Sequence, residues 1–295
     1  MSSSIIENVM GYNPNLGASI LFAVLFGILF FVLFFQMYTQ AKRFNVEYPH
    51  VKSIRLKISN VSMLLGILVY LVSCIIRCVS ISKSKTLGLD NLINLYVAEN
   101  VLLYIAPTFY TTTILLCFKY IIQWLDLKIM FNFRLFFYSD MVARVLKIVG
   151  SSYLASNYHT GTSVLVAGLF VQISLFTYFI FLQFKFHQHH NRIRDGTIST
   201  HIKMFSITFS ATSILIILRD IIRVVGYLAH RGNYLNTQEW IFYVFTTLPL
   251  FLIPLIFAII NYKYNIYSFK TLVLRKTKSE QGYLQTLEEQ AYIDI

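Results

Sequence analysis

Charge is scarce in this sequence. Only 13% of its 295 residues are Asp, Glu, Lys or Arg, where a soluble domain carries about 25%. Cysteine is scarce too. The three present, Cys74, Cys78 and Cys117, all fall inside apolar runs. They offer no extracellular disulfide framework and read as packed thiols. No G-x-x-x-x-G-K-[ST] stretch occurs, which excludes ATP hydrolysis by a P-loop. No G-x-S-x-G stretch occurs either, so the hydrolase elbow is missing. Histidine is absent from the apolar runs. His187, His189, His190 and His201 gather in a basic 185–203 loop, while His159 and His230 sit in other loops. Intramembrane zinc hydrolysis needs several ligands at depth, so these histidines read as solvated loop residues. The sequence points to no catalytic residue, no metal and no cofactor, and to a protein that is not an enzyme.

What is abundant is apolar. Hydrophobic residues make up 56% of the chain and aromatics 16%, a composition suited to bilayer spans with interfacial aromatic belts. Seven runs approach or exceed the roughly 20 residues that a span requires: about 17–39, 58–80, 96–123, 133–155, 161–184, 204–229 and 239–261. The fourth is the least apolar, because it contains Asp140, Arg144 and Lys147. The reading is an all-α integral membrane protein with seven transmembrane helices. It has no cleavable signal peptide; a polar leader over 1–16 precedes the first span.

The basic residues write an orientation. Fifteen lie in segments 40–57, 124–132, 185–203 and after 261, against three in the alternate set (Lys83, Lys85 and Arg231). The positive-inside rule then places the N-terminus outside and the C-terminus in the cytosol. A net charge of +12 distributed this way encodes topology and implies no nucleic-acid partner. The tail over 262–295 opens basic, ends acidic and is expected to be disordered. Its basic half suits anionic inner-leaflet lipid, and its final Tyr292-Ile-Asp-Ile295 has the form of a tyrosine sorting signal.

Seven basic residues remain inside the spans. Lys119 and Arg134 lie near cytosolic ends and can snorkel. The others are at depth, where each charge costs roughly 2.5–3.5 kcal/mol on insertion scales. Arg219 and Arg223 are one turn apart in span six, with Asp220 in reach of Arg223. Asp140, Arg144 and Lys147 share one face of span four. Arg77 and Glu99 lie near the outer ends of spans two and three and can pair. Cations outnumber acids in this set. It predicts a polar cavity, open to the outside, that accepts an anionic head group, with Arg219 and Arg223 facing Asp140, Lys147, Arg77 and Glu99. Pro107, Pro249 and Pro254 lie within spans three and seven, where a missing N–H can kink a helix.

Four stretches together resemble the fungal RTA-like, or lipid-translocating exporter, family. They are Tyr12-Asn-Pro-Asn-Leu-Gly-Ala18; Ala106-Pro-Thr-Phe-Tyr110; Asp140 followed by Ala167-Gly-Leu-Phe-Val-Gln172; and Arg219-x-x-x-Arg223 leading to Glu239 and Tyr243-Val-Phe245. The resemblance implies seven spans with the N-terminus outside and membrane stress or drug resistance. It implies export or flipping of amphiphiles such as sphingoid bases, sterol-like toxins or porphyrins. It also adds Gln172 and Glu239 to the candidate translocation residues. Three positions depart from the family pattern: Lys147 stands where a Gln is usual, Gly226 where a Glu is usual, and Thr246 where an Asp is usual. These changes lean toward a carboxylate or phosphate head group and away from a cationic amine.

The partners expected are therefore membrane lipids or amphiphilic small molecules. The plasma membrane is the expected site, with vacuolar or other endomembranes as the alternative. A seven-span receptor is the competing class. Against it, span three ends Phe118-Lys-Tyr-Ile without an acidic-Arg-Tyr triplet, and span seven holds Ile260-Asn-Tyr262 without Asn-Pro-x-x-Tyr. A third class is a protein that senses or organises lipid without moving it.

Overall fold

The structure is a computed structural model. It describes residues 14–47, 54–84, 86, 88–125, 132–154, 157–190, 196–229, 238–264 and 266–273. The leader before Pro14 and the tail after Val273, with its Tyr292-Ile-Asp-Ile295, lie outside the described residues. So do Lys85, Lys128 and Arg231.

The described chain is helical throughout. The helices are α1 (Leu16–Glu47), α2 (Ile54–Ser82), α3 (Leu89–Trp124), α4 (Phe133–Tyr153), α5 (Tyr158–His190) and α6 (Gly196–Leu228). The seventh, α7, has three parts: an α-turn (Glu239–Phe242), a π-helical stretch (Tyr243–Thr247) and an α-helix (Leu248–Lys263). A short α8 covers 266–273. Consecutive helices pack side by side, and α7 packs on both α6 and α1, closing the bundle into a ring. Of the spans, α3 is the most enclosed and α1 the most lipid-facing.

Helix starts follow capping chemistry. Asn15 Oδ1 accepts from Gly17 N at 2.8 Å and Ala18 N at 3.3 Å to open α1. Asn132 Oδ1 accepts from Leu135 N to open α4, and Asn157 Oδ1 from Thr160 N to open α5. Each satisfies backbone donors left over at a helix start. Among the described residues, six helices are long and apolar enough to cross a bilayer by composition alone, and α4 is not one of them. Its 21 residues are nevertheless about 31 Å long, the thickness of a hydrocarbon core. Its charged face is turned inward: Asp140, Ala143, Lys147, Gly150 and Ser151 are buried. Tyr138, Val142, Val145 and Val149 occupy the exposed face. A helix with this division turns a largely apolar middle toward lipid, with the exposed Arg134 and Ser152 near its two ends.

Glycine sets how closely α4 and α5 approach. A Cβ on Gly150 would sit 2.5 Å from Leu165 N, and one on Gly161 would sit 2.7 Å from Leu154 N. A Cβ on Gly168 would sit 3.0 Å from Ala143 O. Small residues let backbones touch where lipid supplies no hydrophobic drive for association. Below this contact the core is aromatic, with Phe118 edge-on to Phe179, Phe186 and Phe209.

Two expectations change at the end of the bundle formed by α8 and the start of α6. Part of the tail is ordered: in α8, Tyr267 and Phe269 are buried, with Phe269 against Phe205 and Trp124. Tyr267 Oη accepts from Asn60 Nδ2 at 3.3 Å. His201, read as a loop residue, is buried on α6 against Tyr264 and Phe269. It belongs to α6 because that helix begins at Gly196, ahead of the apolar run.

Candidate functional site

The charges at depth form two clusters joined by aromatic rings. The first is centred on Arg77, about 8 Å below the end of α2. Its Nη1 donates to Glu99 Oε1 at 2.7 Å, its Nη2 to Glu239 Oε1 at 3.4 Å and its Nε to Tyr243 Oη at 3.3 Å. Arg77 and Glu99 are buried, at 4% and 3% exposure. Glu239 also receives Asn15 N, at 2.8 Å to each carboxylate oxygen. Its carboxylate therefore lies at the N-terminal ends of both α1 and α7, where the helix dipoles favour negative charge. Ser19 Oγ and Tyr243 Oη lie 2.8 Å apart, and Phe22 stacks on Tyr243. This cluster ties α1, α2, α3 and α7 together.

The second cluster lies deeper, with Arg219 about 14 Å from the end of α6. Arg219 Nη1 donates to Asp220 Oδ1 at 2.8 Å, and both residues are completely buried. The sequence had paired Asp220 with Arg223. Neighbouring residues on a helix point apart, but the long arginine side chain folds back across the gap. Arg219 Nη2 donates to Leu103 O at 3.2 Å, and Pro107 explains why that carbonyl is available. Leu103 lies four residues before Pro107, and proline has no N–H to give it. Pro107 is thus buried inside α3 as the residue that releases an acceptor to Arg219.

On α4, Arg144 Nη2 donates to Asp140 Oδ2 at 2.5 Å, Thr112 Oγ1 at 2.6 Å and Thr108 O at 3.0 Å. Thr111 Oγ1 donates to Asp140 from α3. Lys147 is fully buried, and its Nζ donates to Gln172 Oε1 on α5. Asp220 and Asp140 both act on Lys147 electrostatically. Gln172 Nε2 and Asp220 Oδ2 are buried without a hydrogen-bond partner among the described residues.

Aromatic rings connect the clusters. The Arg77 guanidinium lies over the Phe242 ring at 4.4 Å and that of Arg223 over the same ring at 5.3 Å. Arg219 and Arg223 both lie over Tyr104, whose hydroxyl is 2.7 Å from that of Tyr227. Phe242 thus links Arg77 to Arg223, and Tyr104 links Arg223 to Arg219.

Among the described residues, no opening reaches the deepest of these groups. Arg219, Asp220 and Lys147 are at 0% exposure. Of the other prolines, Pro254 lies inside the α-helical part of α7. Pro249 follows the π-helical stretch, where Thr246 and Thr247 are buried and Thr247 Oγ1 accepts from Tyr70 Oη at 2.9 Å. π-Helical insertions frequently mark functional sites.

Sequence reasoning missed Asn15, Ser19, Tyr104, Phe242 and Tyr243 as site members. The signals were present for two of them: Asn15 is a helix cap, and Tyr243 lies one turn from Glu239.

A family model described as RTA1 like protein matches residues 84–268. Among curated proteins, the chain is 30% identical over 203 residues to "Uncharacterized membrane protein YLR046C" of Saccharomyces cerevisiae, covering 65% of this chain and 73% of that protein. It is 28% identical over 271 residues to "Protein RTA1" of the same yeast, covering 87% and 85%. It is 26% identical over 182 residues to "Protoporphyrin uptake protein 1", also of Saccharomyces cerevisiae, covering 58% and 60%. No solved structure matches the chain.

Proposed function

Because this chain belongs to the RTA1-like protein family, we propose that it translocates amphiphilic molecules across a membrane and thereby contributes to resistance against membrane stress or toxic lipid-like compounds. The observation that carries this reading is the charge balance at depth. Five cations (Arg77, Arg144, Lys147, Arg219 and Arg223) stand against four acids (Glu99, Asp140, Asp220 and Glu239) among the described residues. Intramembrane charge is expensive, and it is retained where a pathway needs it. The surplus is positive, which supports a cargo with a carboxylate or phosphate head group. A relative whose name assigns it protoporphyrin uptake is in keeping with a carboxylate-bearing amphiphile.

The bundle described is a closed form. Transport requires a second conformation, and the first turn of α7 is suited to move. It carries both Glu239 and Phe242, so its displacement would release Arg77 and uncover Arg223 together. The distribution of basic residues supports an N-terminus outside and a C-terminus in the cytosol; the family and that orientation support the plasma membrane, with vacuolar or other endomembranes as the alternative. No chemical step on the cargo is proposed.

The test is reconstitution of the full chain into vesicles and measurement of leaflet exchange for labelled amphiphiles with phosphate, carboxylate or amine head groups. Exchange of the anionic probes, reduced about tenfold by Arg219→Ala, supports the reading. No exchange across the panel would sink it. Retention of probes without exchange would identify a lipid sensor, which the complete internal burial of Arg219 and Asp220 would then explain.

A further inference from the structure

One cation at depth differs from the others in kind. Arg77, Arg144 and Arg219 each hold a carboxylate, and an arginine does not release its proton in a protein. Lys147 forms no ion pair among the described residues, and its Nζ donates to the amide oxygen of Gln172. Asp220 and Arg219 act on it from α6, and Asp140 and Arg144 from its own helix. Both acids are already engaged, Asp220 by Arg219 at 2.8 Å and Asp140 by Arg144 at 2.5 Å. From α5 comes only the uncharged Gln172. From α3 come Thr111, which donates to Asp140, and Thr112, which accepts from Arg144. The side chain is fully buried, with its stem against α5: a Cβ on Gly168 would lie 3.0 Å from Lys147 Cγ.

The chemistry of the partner matters. A carboxylate would hold Lys147 as an ammonium, whereas a neutral amide serves both protonation states. Gln172 Oε1 accepts from Nζ in the form described. Gln172 Nε2, buried without a partner among the described residues, can donate to the lone pair of an amine once the amide turns over. The charge count agrees. The network holds five cations against four acids. Without the Lys147 proton it balances; with that proton it balances one singly charged anionic head group.

We propose that Lys147 is a proton site and that an anionic cargo crosses together with one proton, a cotransport that rests on the proposed translocation. A proton from water on one side adds to the Nζ lone pair, the head group enters against the surplus charge, and both leave to water on the other side. No bond in the cargo changes. The pair moved has no net charge, which avoids taking an unpaired anion through hydrocarbon.

The full chain in vesicles loaded with pyranine, given a fluorescent amphiphile with a phosphodiester head group, reads proton entry and leaflet exchange together. Wild type should move about one proton per probe. A gradient of about one pH unit should draw the probe about tenfold toward the alkaline leaflet. Lys147→Gln removes the proton, and Lys147→Arg keeps the charge but cannot release it. Both should abolish the protons moved per probe, a ratio that a slower rate alone does not change. If Lys147→Gln does not yield folded protein, Lys147→Arg carries the test. Calorimetry of probe binding in two buffers of different ionisation heat, above neutral pH, counts protons without requiring exchange: wild type should take up a proton and the variants none. Proton uptake that survives the substitutions overturns the assignment to Lys147. Exchange by wild type without proton entry overturns the cotransport and leaves translocation standing, and no exchange of any probe overturns both.

Discussion

Gly150→Ala tests the closeness of α4 to α5, on which the position of Lys147 depends. In most helices this substitution stabilises by about 1 kcal/mol, because glycine is the poorer helix former. Here the added Cβ would lie 2.5 Å from Leu165 N and 2.7 Å from Leu165 Cα. Both are backbone atoms that no rotamer change can move. Ordinary contact begins near 3.4 Å, so the helices must part by about 1 Å in an interior that packs like a crystal. Overpacking of this kind costs about 1–3 kcal/mol. Parting also stretches the bond from Lys147 to Gln172, a charge-assisted hydrogen bond worth about 1.5–3 kcal/mol. The net expectation is destabilisation by about 2–4 kcal/mol once the helix gain is subtracted. Gly27→Ala is the control, since a Cβ there meets nothing within 4 Å, and it should be neutral or slightly stabilising. Thermal unfolding of the two variants in one detergent, followed by helical circular dichroism, gives the comparison. If Gly150→Ala is as stable as Gly27→Ala, the close-contact reasoning is refuted.

Arg77→Met should destabilise by about 3–5 kcal/mol, because it leaves Glu99 buried without its cation. The double variant Arg77→Met/Glu99→Gln should recover part of that loss, and a double-mutant cycle in chemical unfolding reads the coupling. Phe269→Ala should cost about 3–5 kcal/mol by emptying a closed aromatic site; a change below 1 kcal/mol in the same assay would mean that α8 does not hold that end of the bundle. Pro107→Ala returns an N–H to Leu103 O in competition with Arg219. It should raise the thermal midpoint while slowing vesicle exchange of anionic amphiphiles, and a variant with both values unchanged would show that the released carbonyl has no role.

Hydropathy and charge placement made the fold class legible. Seven apolar runs in the sequence correspond to seven long helices. Even α4, too charged to qualify by composition, was readable because Asp140, Arg144 and Lys147 fall on one face at helical spacing. Family membership was legible from short motifs in order. The pairings were less so. Arg77 with Glu99 could be read from matching depth on adjacent spans. Arg219 with Asp220 could not, because helical geometry points neighbours apart and only the buried side-chain conformer brings them together. The bond from Asn15 to Glu239 joins positions 224 residues apart, and nothing local announces it. The closed state of the network was also illegible. A count of charges gives their balance but not whether Phe242 and Tyr104 fill the space between them.

The tie between Asn15 and Glu239 has a consequence for how the protein is made. A chain enters the membrane from its N-terminus, so α1, α2 and α3 are in place while α7 is still being synthesised. Arg77 and Glu99 are only 22 residues apart and can pair early. The start of α1 must wait for Glu239. Through that interval the α1 terminus lacks its anion, and the Arg77 cluster lacks its second carboxylate and the Tyr243 hydroxyl. Closure of the ring is thus a late event in biogenesis, and a ribosome product cut short before α7 presents quality-control machinery with an Arg77 site that keeps Glu99 but lacks its remaining partners.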